Sequence, residues 1–134
     1  MFRIDGGDFA GAGAVSSKIK KILQHIGTKP EIIRRASIAT YEAEMNVVIH
    51  ATMGEIALDA TPSIVHIRIL DEGPGIPDID RAMQPGYSTA PDEIREMGFG
   101  AGMGLPNMER CADKLDIKSV VGIGTTVDMV FRNE

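Results

Sequence analysis

The sequence predicts an α+β fold, a two-layer sandwich in which helices pack on one face of a mixed, mostly antiparallel sheet. Two helical patterns fill much of the first 53 residues, residues 64–70 alternate as in a half-buried strand, and residues 115–131 predict two strands joined by a short glycine turn. At 134 residues, with 43% hydrophobic and 25% charged residues, the chain is expected to form a single domain, residues 1–134.

The N-terminal segment predicts a strand, a turn and a helix. Residues 1–5 are expected to form a short edge strand, and the glycine-rich residues 6–13 a flexible turn or arm. From Ala14 to Ile26, apolar residues recur at helical spacing opposite a lysine-rich face, which predicts an amphipathic helix. Gly27 is placed to end this helix, because glycine readily adopts the left-handed conformation that follows many helix C-termini.

A second, longer helix is predicted to start at Thr28-Lys29-Pro30-Glu31, which matches a capping box, and to run to about Met53, where Gly54 or the segment after it ends the helix. Glu42 and Asn46 are four residues apart, so their side chains point the same way on this helix. They project from its apolar side, where an unpaired glutamate is costly, so a partner such as a metal-bound water is expected. The alternative is a solvated polar face, which is the usual setting of such a pair.

The strand at 64–70 ends in a carboxylate followed by a glycine turn, Asp71-Glu72-Gly73-Pro74-Gly75-Ile76-Pro77. Asp71 could accept a hydrogen bond from the exocyclic amine of adenine, which would distinguish adenine from guanine. The alternative is that Asp71 caps the turn at Gly73, since aspartate favours turns. Residues 71–104 contain no long periodic element, and a long irregular loop in a compact domain is usually functional.

Glycines alternate with other residues from Gly98 to Gly104, directly before a predicted helix that opens at Leu105-Pro106. A helix N-terminus preceded by glycines offers unpaired N–H groups and a favourable dipole to phosphate. Triphosphate binding is therefore predicted here, in preference to a merely flexible loop. The sequence contains neither a Walker-type phosphate loop nor the strand-glycine-helix order of a dinucleotide fold, so a different nucleotide fold is required.

Composition excludes several other classes of protein. The net charge of −5 provides no basic surface for a phosphate backbone, which argues against nucleic-acid binding. The single cysteine, Cys111, allows neither an internal disulfide nor a cysteine metal cluster and fits a reducing cytoplasm. The sequence shows no signal-peptide pattern and no run of roughly eighteen apolar residues, so a cytoplasmic protein without a membrane span is expected.

Four motifs together resemble those of the GHKL superfamily of ATPases, named after gyrase, Hsp90, histidine kinases and MutL. They are Glu42-x-x-x-Asn46, Asp71-x-Gly73-x-Gly75, the glycine run 98–104 and Gly122-x-Gly124-Thr125, and they occur in the superfamily's order. The segments 41–50 and 84–89 are most similar to the small anti-sigma-factor serine/threonine kinases, especially their switch-kinase branch. The resemblance implies a Bergerat-type ATP-binding fold.

The same resemblance assigns roles to individual residues. It implies that Glu42 is the general base, that Asn46 is the ligand of a Mg²⁺ ion bridging the phosphates, and that Asp71 contacts adenine. Residues 84–104 would then form the ATP lid and glycine loop. The complete expected set of nucleotide-binding residues is Asn46, His50, Asp71, Gly73, Gly75, Ile76, Ser88, Thr89, Arg95, Gly98, Gly100, Ala101, Gly102, Met103, Gly104, Leu105 and Thr125.

The resemblance implies an ATP- and Mg²⁺-dependent protein serine/threonine kinase that phosphorylates a small anti-sigma-antagonist-like domain and controls partner exchange. A sigma factor or downstream regulator as a further partner, and a homodimer, stay open. Two alternatives remain: a non-catalytic module that senses ATP and ADP and sequesters a partner, and a detached histidine-kinase-like ATPase domain. Glu42 favours the kinase, because binding alone needs no base. Glu44 departs from the expected pattern by adding a second carboxylate near Glu42.

Overall fold

The computed structural model describes residues 1–84 and 104–133, which form five strands and four helices. None of these helices is long and apolar enough to cross a bilayer. In chain order the elements are β1 (Phe2–Asp5), α1 (Ala14–His25), α2 (Pro30–His50), β2 (Met53–Ala60), β3 (Ile64–Glu72), α3 (Ile79–Ala82), α4 (Gly104–Cys111), β4 (Lys114–Val120) and β5 (Gly124–Arg132).

The five strands form one sheet in the order β1-β2-β3-β5-β4, and every pair of neighbours among these described strands is antiparallel. The predicted alternation of β3 is confirmed, since Val65, Ile67 and Ile69 are all buried. Val65 and Ile67 pair in register with Phe131 and Met129 of β5. Each such side chain contributes about 1.5–3 kcal/mol on burial. The α+β two-layer fold is thereby confirmed, with the core between this face and the helices.

Helix α2 starts later and ends earlier than the sequence predicts. The predicted capping box is wrong: Pro30 occupies the first helical position, so the N-cap residue is Lys29, whose side chain has no hydrogen-bond acceptor. After His50 the chain leaves the helix and enters β2, a strand that the helical spacing of the apolar residues did not predict. Gly54 is a buried residue of β2 and not a helix terminator, and a Cβ there would lie 2.8 Å from Val47 Cγ1. The glycine therefore lets the sheet pack closely against α2.

The glycine-rich residues 6–13 form turns that are hydrogen-bonded to the end of α2 and its exit. The backbone N–H of Gly6 donates to Thr52 O at 2.9 Å, and that of Gly7 donates to Val48 O at 2.8 Å. Gly13 has a left-handed φ of 94° and directly precedes α1. These bonds dock the N-terminal segment against the helix that carries Glu42 and Asn46.

Glu44 has a structural partner of its own, the N-terminus of α1. Its side chain is 1% exposed, and its Oε2 accepts from the backbone N–H groups of Gly13 at 3.0 Å and Val15 at 3.2 Å. Its Oε1 accepts from the N–H of Ser16 at 2.9 Å. A carboxylate at a helix N-terminus satisfies otherwise unpaired donors and interacts favourably with the helix dipole. Glu44 therefore caps α1 from α2.

Candidate functional site

Glu42 and Asn46 lie half-buried on α2, where the first residue of α4 packs over both of them. A Cβ at Gly104 would stand 3.1 Å from Asn46 Oδ1 and 3.5 Å from Glu42 Oε2. Any side chain at position 104 would therefore crowd the gap between α2 and α4. The prediction that Glu42 and Asn46 share one face is confirmed by this common neighbour.

Asn107, which the sequence analysis did not single out, is the partner of Glu42. Its Nδ2 donates to Glu42 Oε1 at 3.2 Å, and its Oδ1 accepts from Arg110 Nη2 at 2.8 Å. Glu42 thus has a protein partner, whereas the metal-bound water that the sequence suggests stays a prediction. Asn107 follows Gly104 by three residues, so an α4 that covers Glu42 with Gly104 brings Asn107 to the same face. Glu42, Asn46, Gly104 and Asn107 are called the helix cluster below.

Asp71 lies near the end of β3, where it pairs with Gly54 of β2. Its Oδ1 accepts from the backbone N–H of Thr125 at 3.1 Å, while its second oxygen accepts no hydrogen bond from the described residues. Burial raises the pKa of Asp71, and the bond from Thr125 opposes that rise. The alternative role as a cap of the Gly73 turn is wrong, because the Gly73 N–H donates to Ile123 O at 3.3 Å.

The loop after β3 is joined to the β4–β5 hairpin by backbone contacts. The N–H of Gly122 donates to Pro74 O at 2.9 Å. Gly75 has a φ of +76°, and a Cβ there would lie 2.6 Å from Val120 O. Glycine is therefore required at position 75 both by the backbone conformation and by the close approach of the hairpin.

Ser119 of β4 is a second residue that the sequence analysis missed. Its Oγ accepts from the Ile76 N–H at 2.7 Å, lies 2.9 Å from Thr125 Oγ1 and donates to Gly124 O at 3.3 Å. No motif marked it, because a serine within an alternating strand has no distinctive pattern. Asp71, the loop 73–76, Ser119 and Thr125 are called the sheet cluster below.

The sheet cluster contacts the end of α2, the helix that carries Glu42 and Asn46. A Cβ at Gly73 would lie 3.2 Å from both Cα and Cβ of Ala51, the residue after the last one of α2. His50, which ends α2, stays exposed, although partial desolvation by the surrounding protein lowers its pKa. Helix α2 thus carries Glu42 and Asn46 along its length and contacts the loop after Asp71 at its end.

The remaining predicted residues divide into two groups. Leu105 is buried in the first turn of α4, and Thr125 is 8% exposed beside Asp71. Within the predicted lid and glycine loop, 84–104, only Gln84 and Gly104 belong to the described part of the chain. The predicted contact residues Ser88, Thr89, Arg95, Gly98, Gly100, Ala101, Gly102 and Met103 lie outside it.

This arrangement can hold an elongated polar ligand with two different ends. The helix cluster offers a carboxylate, an amide and the N-terminus of α4, which suits a phosphate chain with its counter-ion and an attacking group. The sheet cluster offers a half-buried carboxylate beside an apolar loop, which suits a planar base with an amine donor.

Comparison with known proteins gives the family of the chain. The structure of the mycobacterial sensor histidine kinase MprB superposes with a TM-score of 0.58 at 15% identity, covering 99% of this chain and 97% of that one, which shows a common fold. Residues 9–131 match the sequence profile of the histidine kinase-like ATPase domain. The protein belongs to this family of GHKL-type ATPase domains, as the four motifs predict.

Among its relatives, the chain is similar to bacterial anti-sigma F factors and to a serine/threonine-protein kinase. It is 36% identical over 104 residues to the anti-sigma F factor of Caldanaerobacter subterraneus subsp. tengcongensis, covering 74% of this chain and 69% of that protein. It is 33% identical over 100 residues to the serine/threonine-protein kinase RsbT of Bacillus subtilis, covering 72% and 69%. The anti-sigma F factor of Geobacillus stearothermophilus is 37% identical over 92 residues, covering 64% and 60%.

Proposed function

We propose that the protein is an ATP-dependent protein serine/threonine kinase of the anti-sigma type. Its substrate is a serine or threonine of a small antagonist-like partner domain, and phosphorylation controls partner exchange. The kinship with anti-sigma F factors and with the kinase RsbT supports this class of activity. The observation that carries the proposal is the position of Glu42, a half-buried carboxylate beside Asn46 at the N-terminus of α4.

The sheet cluster binds the adenine end of ATP in this proposal. The second oxygen of Asp71 accepts a hydrogen bond from the exocyclic amine, while its first oxygen stays bonded to the Thr125 N–H. Guanine presents a carbonyl oxygen at that position, which a carboxylate repels. ATP is therefore preferred over GTP.

The helix cluster binds the phosphates. No group of three or more His, Cys, Asp or Glu side chains in the described residues is arranged to hold a metal ion. The Asn46 amide oxygen fits a single-ligand role, since Mg²⁺ prefers oxygen donors and is usually completed by phosphates and waters. When bound, Mg²⁺ would offset the charge that develops on the phosphates.

Phosphate transfer then requires one proton to be removed. The partner's hydroxyl oxygen forms a bond to the γ-phosphorus as the bond to the β,γ-bridging oxygen breaks and ADP leaves. Glu42 accepts the hydroxyl proton through Oε2, the oxygen that faces Gly104 and Asn46. The absence of a side chain at Gly104 lets the backbone of α4 approach Glu42 and Asn46 closely.

The proposed setting follows from this activity. ATP and a reduced Cys111 fit the cytoplasm, and the whole of residues 1–134 is proposed to act as one domain. The immediate protein partner is the antagonist-like domain, with a sigma factor or downstream regulator as the second partner in the exchange.

The test is phosphate transfer to a small antagonist-like domain, with the phosphorylated residue identified by mass spectrometry. Glu42→Ala should bind ATP normally in calorimetry and lose about 10²- to 10⁴-fold in transfer rate. Glu109→Gln, on the exposed side of α4, is the matched control and should retain activity. Wild-type protein that binds ATP and its partner but leaves the partner unphosphorylated would favour the sequestering module instead.

A further inference from the structure

Asn107 of α4 bonds to the carboxylate that removes the proton in the proposed reaction. We infer that Asn107 is a positioning residue for phosphate transfer, which fixes the rotation of the Glu42 carboxylate and is itself fixed by Arg110. The inference rests on the proposed kinase function. It adds a residue that belongs to none of the four motifs.

The hydrogen-bond donors and acceptors of Glu42, Asn107 and Arg110 determine how these three side chains are arranged. Arginine can only donate hydrogen bonds, an ionised glutamate can only accept them, and an asparagine amide does both. Asn107 is therefore the one member that can bridge the other two, with Oδ1 toward Arg110 at 2.8 Å and Nδ2 toward Glu42 at 3.2 Å. If the amide were flipped, its Nδ2 would face the donor Nη2 of Arg110, and its Oδ1 would face the acceptor Oε1 of Glu42.

The bond to Asn107 occupies only one oxygen of Glu42. Oε1 accepts from Asn107, whereas Oε2 lies 3.5 Å from the Cβ position of Gly104, beside the Asn46 amide. Without Asn107 the carboxylate could rotate about its terminal torsion, which is broad for glutamate. Asn107 thus fixes which oxygen of Glu42 is left free to accept the hydroxyl proton.

Two isosteric substitutions separate positioning from space filling. Asn107→Leu removes the donor, and Asn107→Asp replaces it with an acceptor while keeping an oxygen for Arg110. Both should lower kcat by about 10- to 100-fold. ATP affinity should change less than about twofold in Asn107→Leu, because the lost contact is to the base. Near-wild-type kcat in both variants would overturn the inference.

A double-mutant cycle tests whether Asn107 acts through Glu42. In the Glu42→Ala background, Asn107→Leu should cause no further loss of rate, since there is no carboxylate left to orient. A further loss of about tenfold, equal to that in the wild-type background, would overturn the role. Glu109→Gln, two residues along α4, serves as the control in both backgrounds.

A final measurement does not depend on kinase activity. In the nucleotide-free protein, the side-chain amide resonances of Asn107, assigned by their loss in Asn107→Leu, should shift in Glu42→Ala and stay in place in Glu109→Gln. Unchanged resonances in Glu42→Ala would overturn the positioning role alone. Absence of phosphate transfer by the wild-type protein would overturn the kinase proposal alone, so the two failures are distinguishable.

Discussion

The sheet cluster is held together mainly by hydrogen bonds of the backbone, whereas the helix cluster is held together by hydrogen bonds between side chains. In the sheet cluster, backbone N–H and C=O groups of the loop 73–76 and the β4–β5 hairpin bond to each other and to Asp71 and Ser119. In the helix cluster, the side chain of Glu42 on α2 bonds to that of Asn107 on α4, which in turn bonds to the side chain of Arg110. We therefore expect substitutions in the sheet cluster to destabilise the fold, and substitutions in the helix cluster to change activity with little effect on stability.

The largest effect on stability is expected from Gly75→Ala in the sheet cluster. The new Cβ would lie 2.6 Å from Val120 O at a φ of +76°, so the hairpin and the loop must separate. The expected cost is about 2–4 kcal/mol in the free energy of unfolding, measured by urea denaturation. ATP binding should weaken in parallel.

Gly27→Ala is the matched control for that change. Gly27 has a φ of +81°, but a Cβ there would meet nothing within 4 Å. Only the conformational cost remains, about 1 kcal/mol. Equal destabilisation by the two substitutions would show that the hairpin does not constrain the loop.

Ser119→Ala should give the next largest effect. It removes the acceptor for the Ile76 N–H and the contact with Thr125 Oγ1, and each lost hydrogen bond costs about 0.5–1.5 kcal/mol. The unfolding free energy should fall by about 1–2 kcal/mol, and the affinity for ATP should fall as the adenine loop loosens. Ser17→Ala on the exposed side of α1 should change neither quantity.

In the helix cluster, Asn46→Ala should change function with little effect on stability. Asn46 is half-buried, and its removal is expected to alter the unfolding free energy by less than about 1 kcal/mol. Calorimetry with and without Mg²⁺ should show that ATP binding has lost its metal dependence. A loss of stability as large as that of Gly75→Ala would contradict the proposed difference between the clusters.

The smallest effect is a pH-dependent one at Asp71. Burial raises its pKa in the folded protein, so the protonated form is favoured by folding and stability is lost as pH rises through the folded-state pKa. Asp71→Asn keeps an oxygen for the Thr125 N–H and removes this ionisation. The thermal midpoint of Asp71→Asn should exceed that of wild type at pH 7, and the difference should disappear below the pKa of 3.8 that Asp71 has in the unfolded chain. A gap independent of pH would exclude the ionisation of Asp71 as its cause.

Most of the fold could be predicted because its signals are local. Spacing of apolar residues identified α1, β3 and the final hairpin, and Pro106 marked the first turn of α4. The strand β2 was not predicted, because its assignment depends on tertiary packing. In the sequence alone Gly54 is typical of a helix terminator, whereas in the structure it packs against Val47. The capping box failed for a local reason, since Pro30 moves the helix start by one residue.

The candidate site could be predicted only where motifs fix its residues. Glu42, Asn46 and Asp71 stand in recognisable spacings, and their roles as base, metal ligand and adenine contact stay predictions. Asn107 and Ser119 act through contacts across 65 and 43 residues of sequence, which no local pattern encodes. The roles assigned to residues 85–103 stay predictions, because they lie outside the described residues.

The two glutamates of α2 also fix how that helix is oriented about its own axis. Glu42 and Glu44 are separated by about 200° around an α-helix, so one faces α4 while the other faces the start of α1. Turning α2 would withdraw Glu44 from the three N–H donors that it satisfies. The angle at which Glu42 is presented is thus set by residues 13–16, so substitutions there can alter phosphate transfer without contacting a reactant.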